Sequence, residues 1–169
     1  MKASLIVSIL MTVLFTGAVI WKTRRLPESI SDMVFDLSVP CRWIWGVWLW
    51  AVSFLTAIPA VETLSAKGLE GIPFAMLAAL CMTGAVPLID KDGRRAHYIF
   101  AIGGGVLSQV CTLLISPSWL WLWLLMPAIP LADRMWWHQS IPVWMWRRGV
   151  FFAEMICYAT LVMALLTNQ

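Results

Sequence analysis

The chain has 169 residues, of which 61% are hydrophobic and 12% are charged, and its formal net charge is +3. A soluble domain is typically about 45–50% apolar and about 25% charged. With half the usual charge, this chain could not cover a water-facing surface. The composition therefore excludes a soluble enzyme, a disordered chain and a nucleic-acid-binding module, and it predicts a single all-α integral membrane domain over residues 1–169.

Six apolar runs are long enough, or nearly long enough, to cross a bilayer, which takes about 20 residues for a hydrocarbon core of about 30 Å. They lie at 3–21, 43–61, 72–89, 96–115, 118–131 and 149–166. The fifth run is short and is interrupted by Pro127 and Pro130. The first run ends at a basic cluster without a small-x-small cleavage site, so we expect a retained helix rather than a signal peptide. The sequence predicts a polytopic membrane bundle of about six transmembrane helices.

Basic residues are distributed unequally between the two predicted sides of the membrane. The loops 22–42, 90–95 and 132–148 carry ten Lys and Arg residues, whereas the opposite side carries only Lys2 and Lys67. Because Lys and Arg accumulate in cytoplasmic loops, these three loops are predicted to be cytoplasmic and both termini non-cytoplasmic, in a plasma (inner) membrane. Tryptophans near the predicted cytoplasmic boundary are expected to anchor the helices at the headgroups; they include Trp21, Trp43 and Trp45.

The first loop contains a predicted amphipathic helix. Ser29 is a candidate N-cap with Asp32 at the third helical position, which approximates a capping box. Apolar residues share one face of this helix and carboxylates lie on the other: Ile30, Met33, Val34 and Leu37 against Asp32 and Asp36. We expect a short interfacial helix lying on the membrane surface or tucked under it; a loop helix that merely covers the bundle is the alternative.

Small and polar residues form one stripe of the predicted fourth helix. On a 3.6-residue period the stripe comprises His97, Ala101, Gly104, Ser108 and Cys111, with Gly105 and Thr112 beside it. Small residues let helices approach closely, so the stripe is predicted to face protein, with His97 at its cytoplasmic end. Close packing alone explains the glycines, and a cavity lined by backbone is the alternative.

Four ionisable residues are candidates for a site, because charge inside or at the edge of a membrane is costly. Glu154 lies about a turn inside the last helix, and His97 lies near the start of the fourth. Asp90 closes the third helix and Asp133 closes the fifth. All four map to the cytoplasmic face, where such groups can bind a divalent metal, act as acid and base, or relay protons. Alternatively, Glu154 pairs with an arginine such as Arg147. No HExxH, GxSxG or Gly-rich phosphate motif is present, and the sequence identifies no cofactor.

One predicted helix is followed by the loop sequence Pro27-Glu28-Ser29-Ile30-Ser31-Asp32 and then by five more helices. This layout resembles the Frag/DRAM/Sfk group and related bacterial six-helix membrane families, and the resemblance implies a role in lipid-anchor remodelling or membrane-lipid handling. In that group the first loop is expected on the non-cytoplasmic side, whereas the Lys and Arg count here places it inside.

Three further residues resemble the polar set of the ceramidase-like intramembrane hydrolases, which combine a serine, an aspartate and histidines near one membrane face. In this sequence Ser31, Asp90 and His97 would fill those roles. The paired histidines expected in the last helix of that superfamily are absent, and Glu154 is the only comparable group there.

The sequence favours a non-enzymatic membrane protein that binds membrane lipids or a partner membrane protein, or that self-associates, through the fourth-helix stripe and the first-loop helix. The alternative is a membrane-embedded hydrolase or lipid-modifying enzyme with Asp90, His97, Asp133 and Glu154 as catalytic residues at the cytoplasmic face. A further alternative is a small transporter that functions as an oligomer. No nucleic-acid partner is expected.

Overall fold

The computed structural model describes residues 2–24, 27–90, 92–128, 130–131 and 149–168. Within these ranges every regular element is helical, which confirms the predicted all-α class. The segment 132–148 lies outside the described residues, and with it the candidate Asp133 and the proposed Glu154 partner Arg147.

Five long helices are apolar and long enough to cross a membrane. They are α1 (Lys2–Thr23), α2 (Val39–Ser65), α3 (Gly71–Ile89), α4 (Arg94–Ile115) and α5 (Val150–Thr167). These helices confirm five of the six predicted runs. The α2 helix starts before its predicted run, with Pro40 in its first turn. Proline is tolerated there because amides in the first turn have no acceptor within the helix, so the N–H that proline lacks costs no hydrogen bond.

The predicted fifth run differs from a regular transmembrane α-helix. Pro117–Leu124 form a 3-10 helix, followed by helical residues 125–128. Side chains fix this segment at two places: the Trp119 indole N–H donates to Thr167 Oγ1 at 3.0 Å, and the Trp123 indole N–H donates to Gln109 Oε1 at 2.8 Å. A 3-10 helix rises about 2.0 Å per residue, against about 1.5 Å in an α-helix, so the segment reaches further per residue than the prediction assumed.

The connections divide the bundle into two ends. At one end, which we call the loop end, lie residues 27–38 and 90–93 with the starts of α2, α4 and α5: the Phe35 ring contacts His97 of α4, and the Phe151 N–H of α5 donates to the Glu28 carbonyl. At the other, the far end, Lys67 Nζ donates to the Leu114 carbonyl. Consequently α2, α4 and α5 run in one direction, and α1 and α3 run in the other.

A 3-10 helix at Asp32–Asp36 occupies the first loop, where the sequence predicts a short amphipathic helix. Its Met33, Val34 and Phe35 are buried against the first turns of α2. Trp45 is fully buried in the same cluster and donates its indole N–H to the Ile30 carbonyl at 3.2 Å. The prediction that Trp45 anchors the chain at the headgroups is therefore wrong, because its polar atom is satisfied inside the protein.

The small-residue stripe of α4 faces protein, as predicted. His97, Gly104, Ser108, Cys111 and Thr112 are all buried. A Cβ built on Gly104 would lie 2.7 Å from Leu80 Cδ2 of α3, and one on Gly105 would lie 3.8 Å from Cys157 Sγ of α5. The stripe therefore packs closely against α3 on one side and α5 on the other.

Candidate functional site at Glu154 and His97

The carboxylate of Glu154, in the second turn of α5, is surrounded by hydrogen-bond donors from residues 29–31. The Ser29 hydroxyl donates to Oε1 at 2.8 Å, and the Ile30 N–H donates to Oε2 at 2.5 Å. The Ser31 N–H lies 3.3 Å from Oε1 and 3.4 Å from Oε2, and the Ser31 hydroxyl also donates to Oε1. We call residues 29–31 together with Glu154 the Glu154 clasp.

A backbone hydrogen bond reinforces the clasp. The Phe151 N–H donates to the Glu28 carbonyl at 3.1 Å. Amides in the first turn of a helix have no acceptor within that helix, so the loop supplies one here. Two kinds of bond, to backbone and to carboxylate, therefore hold the first loop on the start of α5.

The predicted capping role of Ser29 is wrong. The residue that precedes the 3-10 helix is Ser31, and it makes no capping bond with its side chain. Both serine hydroxyls instead turn to Glu154. A hydrogen bond to a charged acceptor contributes about 1.5–3 kcal/mol, against about 0.5–1.5 kcal/mol for a neutral one, so the carboxylate outcompetes the short helix for these hydroxyls.

His97 occupies the centre of the loop end. The side chain is fully buried, and its Nδ1 lies 2.9 Å from the Thr83 carbonyl oxygen of α3. A carbonyl only accepts, so Nδ1 carries the proton in this bond. The imidazole meets the Phe35 ring edge-on at a centroid distance of 5.1 Å and lies 6.1 Å from the Trp45 ring. His97 therefore joins the first loop to α2, α3 and α4.

Two arginines attach the first-loop 3-10 helix to the bundle. From α2, Arg42 donates through Nε to the Leu37 carbonyl at 3.0 Å and through Nη2 to the Phe35 carbonyl at 3.1 Å. From α4, the Arg94 guanidinium lies 4.9 Å from the centroid of the Phe35 ring, a cation–π arrangement. The residues that cover His97 are thus held from both neighbouring helices.

The predicted catalytic residues have separate surroundings in the described part of the chain. Asp90 is exposed at the end of α3, and its Oδ1 accepts the Asp92 N–H at 2.9 Å in a local turn. The hydrogen bonds of Ser31, Asp90 and His97 lead to three different groups. Among the described residues, no three His, Cys, Asp or Glu side chains lie together in a way that could hold a metal ion.

A second polar cluster, at Gln109 in the C-terminal half of α4, was missed in the sequence. Its Oε1 accepts from Trp123 at 2.8 Å and from the Thr160 hydroxyl at 3.1 Å. Its Nε2 donates to the Ser108 hydroxyl at 3.1 Å and to the Cys157 carbonyl at 3.2 Å. A carboxamide inside a long apolar helix could have indicated this cluster, because such groups form hydrogen bonds across helix contacts.

These arrangements favour binding between helices over chemistry on a substrate. The Glu154 carboxylate accepts hydrogen bonds from the two serine hydroxyls and two amides of the first loop, so its oxygens are occupied by the chain itself. The His97 imidazole is enclosed by protein and oriented by a carbonyl. Both groups fasten separate elements together.

No family model matches the chain, and no curated protein or solved structure matches it either.

Proposed function

We propose that the chain crosses the membrane six times, with both termini on one side. The support is geometric. Since α4 and α5 run in the same direction, the connection between them must return from the far end, where Trp119 bonds Thr167, to the loop end, where Phe151 bonds Glu28. Eight residues of 3-10 helix and the four helical residues that follow, 125–128, extend about 22 Å, which is most of the core thickness of about 30 Å.

The loop end is proposed to be cytoplasmic, in a plasma (inner) membrane, and the first loop to lie at the headgroups. Lys22, Arg24, Arg94 and Arg95 are exposed at this end. Lys2 and Lys67 belong to the far end, which agrees with the bias of basic residues toward cytoplasmic loops.

Single cysteines labelled in intact cells with an impermeant maleimide test both proposals, in a variant without the four native cysteines. Lys67→Cys and Asn168→Cys are expected to react from outside, and Ser38→Cys only after permeabilisation. Labelling of Asn168→Cys on the same side as Ser38→Cys would contradict the sixth crossing. Labelling of Ser38→Cys from outside would contradict the orientation.

We further propose that the protein acts by binding, to membrane lipid or to a partner membrane protein, and not by catalysis. The observation that carries this proposal is the Glu154 clasp, in which the one carboxylate of α5 is bonded by the chain's own loop. The α4 stripe packs on the chain's own helices, so binding would use the outer faces of the helices and the first loop. These outer faces carry large exposed apolar side chains such as Ile99, Ile102 and Val106.

Two measurements on detergent-purified protein test this proposal. Elemental mass spectrometry of the parent, His97→Ala and, as a control, the exposed Asp92→Ala is expected to give metal well below one ion per chain in all three. Native mass spectrometry is expected to show a lipid or a protein chain retained on the parent. One equivalent of zinc or manganese that is lost only in His97→Ala would favour the hydrolase instead. Parent protein that retains neither lipid nor protein would refute binding.

A further inference from the structure

The buried face of α1 carries a row of hydroxyls. Ser8, Thr12 and Thr16 are spaced one helical turn apart and are 0%, 4% and 8% exposed. Four residues of α-helix rise about 6 Å, so the three side chains lie above one another on the side of α1 that faces the bundle. Their neighbours Val13 and Leu14 are 61% and 70% exposed on the opposite side.

The end of this row that is nearest the far end of the bundle, at Ser8, is bonded to α5. The hydroxyls of Ser8 and Tyr158 lie 2.7 Å apart. Thr12 Oγ1 lies beside the same Tyr158 hydroxyl without reaching hydrogen-bond geometry. Thr12 Oγ1 and Thr16 Oγ1 are both buried, and neither has a hydrogen-bond partner among the described residues.

The lack of a hydrogen-bond partner distinguishes Thr12 and Thr16 from the other serines and threonines of the described helices. Serines and threonines in apolar helices commonly satisfy themselves by donating to a carbonyl three or four residues earlier. In the described helices this bond is made by Ser53, Thr56, Thr63, Ser65, Thr83, Ser108, Thr112, Thr160 and Thr167. The hydroxyls of Thr12 and Thr16 make no such bond.

The spacing of the row matches a water bridge. Two hydrogen bonds of about 2.8 Å in sequence span about 5.6 Å, and successive hydroxyls on this face are separated by a rise of about 6 Å. One water between the hydroxyls of Thr12 and Thr16 would therefore bond both, and a buried water needs at least two such partners. The row runs toward the loop end, where α1 finishes at Thr23, and bound water that continued along this face would meet solvent there.

We propose that the face of α1 formed by Ser8, Thr12 and Thr16, together with Tyr158, is a water-binding site inside the membrane. One water bridges Thr12 and Thr16, the Tyr158 hydroxyl takes the corresponding place between Ser8 and Thr12, and the hydrogen-bonded row opens toward the loop end. This site is independent of the proposed role in lipid or partner binding.

Thiol reactivity tests the proposal, because a cysteine reacts with N-ethylmaleimide as the thiolate, which forms only where water is present. Thr12→Cys and Thr16→Cys are placed in a variant without the four native cysteines. The matched control is Val13→Cys, one residue away on the outer face of α1. Both threonine positions are expected to react at least about tenfold faster than Val13→Cys. Reaction no faster than that of Val13→Cys would overturn the proposal.

A measurement on the unaltered chain tests the proposed water-binding site if the cysteine variants do not fold. X-ray radiolysis of bound water oxidises the side chains next to it, and mass spectrometry locates the oxygen. Tyr158 is expected to be oxidised faster than Phe54, an aromatic residue of α2 that is 47% exposed on the outer surface. Equal oxidation of the two side chains would show that the row is dry and would refute the proposal.

Discussion

Replacement of Glu154 by Gln should destabilise the protein by an amount that can be worked out from the clasp. If the carbonyl oxygen of the amide takes the place of Oε1, the Ser29 and Ser31 hydroxyls keep an acceptor. The amide NH₂ then replaces Oε2 and faces the Ile30 N–H, which donates to Oε2 at 2.5 Å. A buried donor left without an acceptor costs about 1–3 kcal/mol. At about 2–4 °C per kcal/mol for a chain of this size, the midpoint should fall by about 2–12 °C.

The four free cysteines provide the assay, since thermal unfolding in detergent exposes them to a thiol-reactive fluorophore. The matched control is Glu62→Gln, which removes an exposed carboxylate from the last turns of α2 and is expected to leave the midpoint unchanged. Charge-assisted hydrogen bonds are about twice as strong as neutral ones. Ser29→Ala should therefore cost about half as much in the Glu154→Gln background as in the parent. Equal midpoints for Glu154→Gln and Glu62→Gln, or additive effects of Ser29→Ala, would refute the argument.

Two further predictions concern the interior of the bundle. Gly104→Ala should destabilise by about 1–3 kcal/mol, because its Cβ would lie 2.7 Å from Leu80 Cδ2. Leu80→Ala should partly rescue it, while Gly103→Ala, with open space at its Cβ, should be neutral or slightly stabilising through helix propensity. Gln109→Leu should lower the unfolding midpoint by more than Trp123→Phe, which removes one of the bonds to the Gln109 side chain. The two losses should be less than additive in the double variant, and additivity would show that the bond contributes nothing.

The sequence was most informative about the spanning helices. A bilayer accepts only segments whose backbone bonds are satisfied internally, so length and hydropathy alone located α1 to α5. The same rule was misleading for 118–131, since it assumes α-helical geometry. There, Pro117 begins a 3-10 helix, and the indole of Trp123 reaches a partner in α4.

The site was predicted only in part, because its contacts join distant parts of the chain. The rule that charge in a membrane is costly identified Glu154, and the small-residue stripe placed His97 in a tight contact. Ser29, however, was read as a helix cap from the residues beside it, whereas its partner is 125 positions away. Local patterns describe competition with the nearby backbone, and they carry no information on a charged acceptor that another helix brings close.

The positions of Glu154 and Gln109 follow from the order of the helices in the chain. The short connections 66–70 and 90–93 constrain α3 and α4 to pack beside the helix that precedes each. No short connection constrains α5, because 34 residues, 116–149, separate it from α4. Apolar packing gives little preference for protein over lipid inside a membrane. Polar bonds therefore add to side-chain packing in fixing the position of α5: the clasp at Glu154 holds its first turns, and Gln109 holds its middle at Cys157 and Thr160.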